Sequence, residues 1–200
     1  MMKKAALGLV AVIAAVMVVL AGCGTTPYTG NALTGSEARA AGFGYRTEDG
    51  TVIITGYTGS GKKINIPVFI DGLPVTTIRW EAFEGNQLTR ITIPAGVTVI
   101  GDRAFANNRL TSITIPAGVT TIGDEAFVNN RLTSVTIPAG VTIIGDRAFA
   151  NNRLTSITIP DGVATIEYWA FGINFMNFYT REGSQAGTYT SGDGGKTWSK

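Results

Sequence analysis

Apolar and polar positions along the chain follow a fixed 22-residue period. Phenylalanines stand at 83, 105, 127, 149 and 171. Around them, ITIPAGVTVIGDRAFANNRLTS (91–112) recurs as ITIPAGVTTIGDEAFVNNRLTS (113–134) and VTIPAGVTIIGDRAFANNRLTS (135–156), and the first and third copies agree at 20 of 22 positions. A degenerate copy precedes them through Leu73, Ile78, Phe83 and Leu88, and another follows through Ile157, Ile166 and Phe171. In LTSITIP (110–116), Leu110, Ile113 and Ile115 read as inward and Thr111, Ser112 and Thr114 as outward, which predicts a short parallel strand. Pro116-Ala117-Gly118 turns the chain, because proline cannot donate to a ladder. Val119 to Ile122 predicts a second short extended run with both end residues inward. Gly123-Asp124 then predicts a helical turn, with Asp124 as N-cap and Ala126 and Phe127 on its buried side, and Asn129-Asn130 closes the coil. One such unit cannot bury its apolar face alone, so the copies must stack. About five rungs at ~4.8 Å give a stack roughly 24 Å tall.

A fixed period in this range, carrying L-x-x-L-x-L, reads as a leucine-rich repeat. The predicted fold is therefore a mainly β leucine-rich-repeat solenoid over residues 73–178, with short parallel strands and short helical turns. Its ends need covers, since an open edge invites strand addition. GFGYRTEDGTVIITGY carries a hairpin signal at Glu48-Asp49-Gly50, which predicts an N-terminal β cap over 42–72. Phe175, Phe178 and Tyr179 are expected to cover the last rung, followed by a hairpin cap over 179–200. Residues 23–41 lack periodicity and read as a flexible tether.

Positions 1–22 have the form of an export signal. Lys3 and Lys4 supply the positive region, Ala5 to Leu20 is uncharged, and Leu20-Ala21-Gly22 precedes Cys23. That tetrapeptide resembles the lipobox of bacterial lipoprotein signal peptides, which implies cleavage between Gly22 and Cys23 and lipidation of Cys23. Several acyl chains would hold the protein stably on a membrane, at about 0.8 kcal/mol per buried CH₂. A retained transmembrane helix is the alternative, since the apolar run sits at the lower length limit for a span. Gly24 after the Cys offers no obvious inner-membrane retention signal, which favours the outer membrane or the cell surface.

The residues at these spacings, I-P-x-x-V-x-x-I-G-x-x-A-F-x-x-N-x-L-x-x-I-x-I-P, resemble the BspA-like bacterial leucine-rich repeat family of surface lipoproteins. The resemblance runs from about Phe43 to Lys200, and GYTGSGKKINIPVFIDGLPVTTI is similar to the family's usual N-terminal segment. It implies binding and not catalysis, since the family is similar to surface-exposed adhesins and protein-binding modules whose partners vary. One departure is Asn at 108, 130 and 152, where many members place Cys; these amides are expected to hydrogen-bond the exposed turn.

Composition narrows the chemistry. The 200 residues include no His and one Cys, which removes Ser-His, Cys-His and zinc arrangements and any internal disulfide. The net charge of +2 resides in Lys3 and Lys4, so the exported chain is neutral and has no general attraction for nucleic acid. Gly56 to Lys63 nearly matches a phosphate-binding loop. It lacks the terminal hydroxyl, and Pro67 and Pro74 forbid the helix that should follow, so it reads as a Gly-rich turn with no nucleotide. Ser191 to Trp198 fits the S-x-D-x-G-x-T-W Asp-box, a structural hairpin element with Trp198 packed beneath. Asp71, Glu167 and Glu182 show no convergent spacing, so no catalytic residue, metal site or cofactor is assigned.

Two sets of columns remain. Glu81, Arg103, Glu125 and Arg147 alternate in sign on successive rungs and predict a stabilising ladder, each pair worth about 0–1 kcal/mol if exposed. Arg109, Arg131 and Arg153 form a like-charge column that would suit an acidic protein or a sulfated glycan. Beside it lie Thr89, Thr111, Thr133 and Thr155, with Thr92, Thr114, Thr136 and Thr158. Two readings stand for the Arg and Thr columns, a ligand-binding face or residues merely copied by duplication. Two functions follow: a lipid-anchored envelope module that binds a protein or glycan, or a passive structural envelope lipoprotein with no external ligand.

Overall fold

The computed structural model describes residues 32–181 and 183–200. The expected signal segment and Cys23 lie outside the described residues. The chain forms a mainly β solenoid of about five turns. Its continuous element is a parallel ladder of Leu73–Ile78, Val99–Ile100, Thr121–Ile122, Ile143–Ile144 and Thr165–Ile166. Thr77 pairs with Val99, Val99 with Thr121, Thr121 with Ile143 and Ile143 with Thr165. Every partner lies one full period away, so the identical spacing of the copies sets the register. Val97, Val119, Val141, Ile100, Ile122 and Ile144 are all fully buried behind this ladder.

The LTSITIP side is less regular than expected. Lys63–Asn65 pairs with Arg90–Thr92, and Ser134–Thr136 pairs with Ser156–Ile159, both parallel. The intervening rung at 111–115 forms no strand, and Ile113 is only half-buried. The same heptapeptide does form a strand at 154–160, so local propensity does not account for the break.

The expected helical turn does not form. Glu81, Arg103, Glu125, Arg147 and Trp169, one per rung, all adopt left-handed φ between 50° and 56°, which breaks an α-helix. The N–H groups then alternate. Arg103, Phe105 and Asn107 donate to Asp124, Ala126 and Val128 of the next rung (2.8, 2.8 and 3.0 Å), while Ala104 and Ala106 turn back to Gly101 and Arg103. Asp124 is accordingly no N-cap. Its Oδ1 accepts from the backbone of Asp146 one rung on (2.9 Å), just as Asp102 serves Asp124 (3.0 Å).

Inside the stack, Phe83, Phe105, Phe127, Phe149 and Phe171 pile with centroids 5.1–5.3 Å apart and interplanar angles of 5–18°. Tyr57 and Phe43 close this pile at one end and Phe175 at the other. The inner asparagines run beside it. Asn108 and Asn130 are buried and Asn152 is half-buried, so these amides face the stack and not the exposed turn. Asn130 accepts from Leu110 N at 3.0 Å and donates to Phe105 O at 2.9 Å, with Asn108 and Asn152 in the same role.

Both ends are covered. Phe43–Glu48 and Thr51–Tyr57 form the predicted hairpin, turning at Asp49 and Gly50 with positive φ, and Thr51–Tyr57 pairs parallel with Leu73–Ile78. Residues 23–31 of the expected tether lie outside the described residues, and 32–41 take regular structure. Ala32–Leu33 pairs with Phe69–Ile70, and Thr34 and Glu37 form a capping box on the helix Gly35–Ala40. The bonds from Thr34 hold the Glu37 carboxyl below its ordinary range. At the far end, the helix Ile173–Arg181 buries Phe175, Met176 and Tyr179, while Phe178 is half-buried. Gly187–Thr190 then runs antiparallel on Ser156–Ile159, and a bridge between Thr190 and Ser199 closes a small hairpin.

Candidate binding face

Each rung of the expected binding side places one Arg between an inner Asn and a buried Leu. The N–H groups of Arg109, Arg131 and Arg153 donate to Leu88, Leu110 and Leu132 one rung back at 2.9, 2.8 and 2.9 Å. These bonds fix the three residues one rung apart while their side chains stay exposed. No salt bridge engages these three guanidiniums among the described residues. At about 5 Å, unit charges repel by roughly 0.8 kcal/mol in water and about 3 kcal/mol at an effective dielectric of 20. An anion laid along the column would relieve that repulsion.

Thr111, Thr114, Thr133 and Thr136 are exposed as predicted. Thr155 and Thr158 are half-buried, because the cap pairs with their rung: Thr158 and Thr188 hydroxyls meet at 3.0 Å, and Ser191 N–H donates to Thr155 O at 2.8 Å. The cap strand carries the hydroxyl column onward through exposed Thr188 and Thr190. At the other end it gains charge, since Lys63 pairs in register with Arg90 and both are exposed. Sequence reasoning missed these two residues because their offset differs from the period of the repeat.

Charge is segregated as a result. Segments 62–65, 88–92, 109–114, 131–136 and 153–158 hold Lys62, Lys63, Arg90, Arg109, Arg131 and Arg153, all exposed, and no carboxylate. Apart from Asp161, exposed in the turn after Ser156–Ile159, the repeat carboxylates stand on the opposite turns. There Glu125 Oε lies 3.9 Å from both Arg103 and Arg147, and Arg103 meets Glu84 at 2.5 Å. The Glu84 hydrogen bond and its charge raise the Arg103 pKa. The sign-alternating ladder thus joins Arg103, Glu125 and Arg147, with Glu84 in place of Glu81 as Arg103's close partner. It ends on Trp169, over which Arg147 stacks at 5.0 Å.

The other two motifs resolve as structure. Gly56 to Lys63 joins the strands Thr51–Tyr57 and Lys63–Asn65, with no helix following. In the Asp-box, Asp193 accepts from Ser191 Oγ (2.7 Å), Thr197 Oγ1 (2.6 Å) and the Lys196 and Thr197 N–H groups, which hold its carboxyl far below the usual range. Trp198 packs edge-to-face on Phe175 with centroids 5.0 Å apart. No described helix is long and apolar enough to cross a membrane.

Crystal structures similar to the chain include a leucine-rich repeat protein from Bacteroides ovatus, at 30% identity over 60% of this chain and 40% of that one, with TM-score 0.46. A T. pallidum leucine-rich repeat protein matches at 24% identity over 72% and 94%, with TM-score 0.42. A leucine-rich cell surface protein from Faecalibacterium prausnitzii matches at 23% over 58% and 52%, with TM-score 0.28. The chain thus spans less than half the length of the Bacteroides ovatus protein. No curated protein matches the sequence. The BspA type leucine-rich repeat region, by contrast, matches in six copies across residues 57–176. With that repeat covering more than half its length, and with the stacked rungs it builds, the chain belongs to the BspA-type leucine-rich repeat family.

Proposed function

We propose that this protein is a non-catalytic, lipid-anchored binding module of the bacterial envelope. Cys23 carries the lipid after cleavage at Gly22, and the solenoid is displayed at the outer membrane or cell surface. Its ligand is a polyanionic protein or glycan, held by Arg109, Arg131 and Arg153 and hydrogen-bonded by Thr111, Thr114, Thr133, Thr136, Thr155 and Thr158. The observation that carries this reading is the charge segregation: the five strand segments of one side carry six exposed cations and no carboxylate, in a chain that is neutral once Lys3 and Lys4 are removed. Duplication alone would copy the Arg column but would not pair Lys63 with Arg90 on the strands before it. A passive structural lipoprotein is the second reading, supported by the near-identity of the repeats, 20 of 22 positions between two copies.

Protease shaving of intact cells, with immunoblotting for the repeat domain and a periplasmic control, tests the location. Digestion of the domain while the control survives is the expected result. Full protection would confine the domain beneath the surface and leave only the structural role.

A further inference from the structure

Each inner asparagine amide closes two bonds with the rung before it. Leu132 N–H donates to Asn152 Oδ1 at 3.0 Å, and Asn152 Nδ2 donates to Phe127 O at 2.9 Å. By the 22-residue period the next amide belongs to Asn174, and it would serve Leu154 N–H and Phe149 O. Asn174 instead stands in the first turn of Ile173–Arg181, and its Nδ2 donates to Gly195 O at 3.4 Å. Leu154 is 5% exposed, and its N–H has no partner among the described residues. Phe149 O keeps the bond from Asn152 (2.9 Å) but lacks the second amide donor that Phe105 O and Phe127 O receive. The outer ladder stops at the same place. Asn151 donates to Asn129 Oδ1 at 2.9 Å, whereas the position that would donate to Asn151 Oδ1 is Ile173.

Leu154, Phe149 and Asn151 all line one cleft of about 210 Å³. Phe171 and Trp198 form aromatic walls, and Ile173, 53% exposed, stands at its mouth.

We propose that this cleft binds a primary carboxamide, presented as a glutamine side chain of a peptide or protein partner. A carboxamide in the place the repeat reserves for the inner asparagine supplies an acceptor for Leu154 N–H and a donor for Phe149 O, as Asn130 does for Leu110 N–H and Phe105 O. A carboxylate has no donor and would face the Phe149 oxygen, and a hydrocarbon would leave the buried N–H unpaired. Two methylenes carry the amide past Ile173 along the aromatic walls. The cleft acts independently of the arginine column.

The test is an NMR titration of the nitrogen-15-labelled protein with N-acetyl-Ala-Gln-Ala-N-methylamide and with its Glu counterpart. The Leu154 amide is expected to shift saturably with the Gln peptide and about tenfold more weakly with Glu. The Leu88, Leu110 and Leu132 amides, already bonded to asparagines, stay put. Ile173→Trp closes the mouth and removes the saturable shift. Independently of that variant, the Gln peptide slows hydrogen exchange at Leu154 in the wild-type protein. An unmoved Leu154 amide, equal response to both peptides, or an equally strong response to N-acetylglucosamine overturns the proposal.

Discussion

Asn86 and Asn130 occupy equivalent positions of the repeat, yet their replacement by Ala has different consequences. Asn130 is 7% exposed and bridges rungs, accepting from Leu110 N and donating to Phe105 O. Asn130→Ala leaves the Leu110 N–H buried and unpaired, which costs about 1–3 kcal/mol, and removes a net bond worth about 1 kcal/mol. Phe105 O retains the bond from Asn108 at 3.0 Å, so that carbonyl adds little. The expected loss is about 2–4 kcal/mol. Asn86 has no preceding rung of the same form. Its Nδ2 donates only to Glu84 O at 2.9 Å, and its Oδ1 is buried without a partner. Asn86→Ala loses one bond and also removes that unserved oxygen, so its expected cost is about 0–1 kcal/mol. Urea denaturation followed by aromatic fluorescence measures both. Equal losses in the two variants would refute the idea that inter-rung amide bonds, and not the asparagine itself, hold the stack.

Further predictions concern the pile, the turn and the cap. Phe127→Ala opens the middle of the ring stack and is expected to cost about 3–5 kcal/mol in the same denaturation assay. Glu125→Gly relieves a left-handed φ of 54° worth about 1–2 kcal/mol and gives up two 3.9 Å ion pairs worth about 0–1 kcal/mol together, so it should leave stability unchanged or raise it. Glu125→Ala keeps the strain and should be the less stable of the two. Asp193 has a depressed folded pKa, so its contribution is present above the ordinary carboxylate value near ~3.9 and is lost as pH falls toward the folded value. The Trp198 indole N–H resonance should therefore hold its folded shift through pH ~4, and Asp193→Asn should release it at neutral pH.

The 22-residue period made the solenoid legible, because equal spacing alone dictates the register Val99, Thr121, Ile143 and Thr165. The phenylalanine column and the Asp49-Gly50 hairpin were legible from equally local chemistry. The left-handed turn was not: nothing in the residue types of Arg103 or Glu125 demands positive φ, which the stacked inter-rung bonds impose. Asn129 and Asn130 are adjacent and identical, and only their partners make one an outer rail and the other a buried bridge. The N-terminal helix did carry a signal, Thr34 followed by Glu37, masked by the small and polar residues around it. On the proposed binding side, the three arginines were visible in sequence, while Lys63 came to lie beside Arg90 only through strand register.

The most direct test of the charged face is retention on an immobilised sulfated polysaccharide such as heparin. Wild-type protein is compared with Arg109→Glu, Arg131→Glu, Arg153→Glu combined. All three side chains are exposed, so the variant should fold. The wild-type domain, although net neutral without its signal, should bind at low salt and elute as salt rises, and the variant should pass through unretained. If both flow through together, or both are retained alike, the arginine column is not the binding surface.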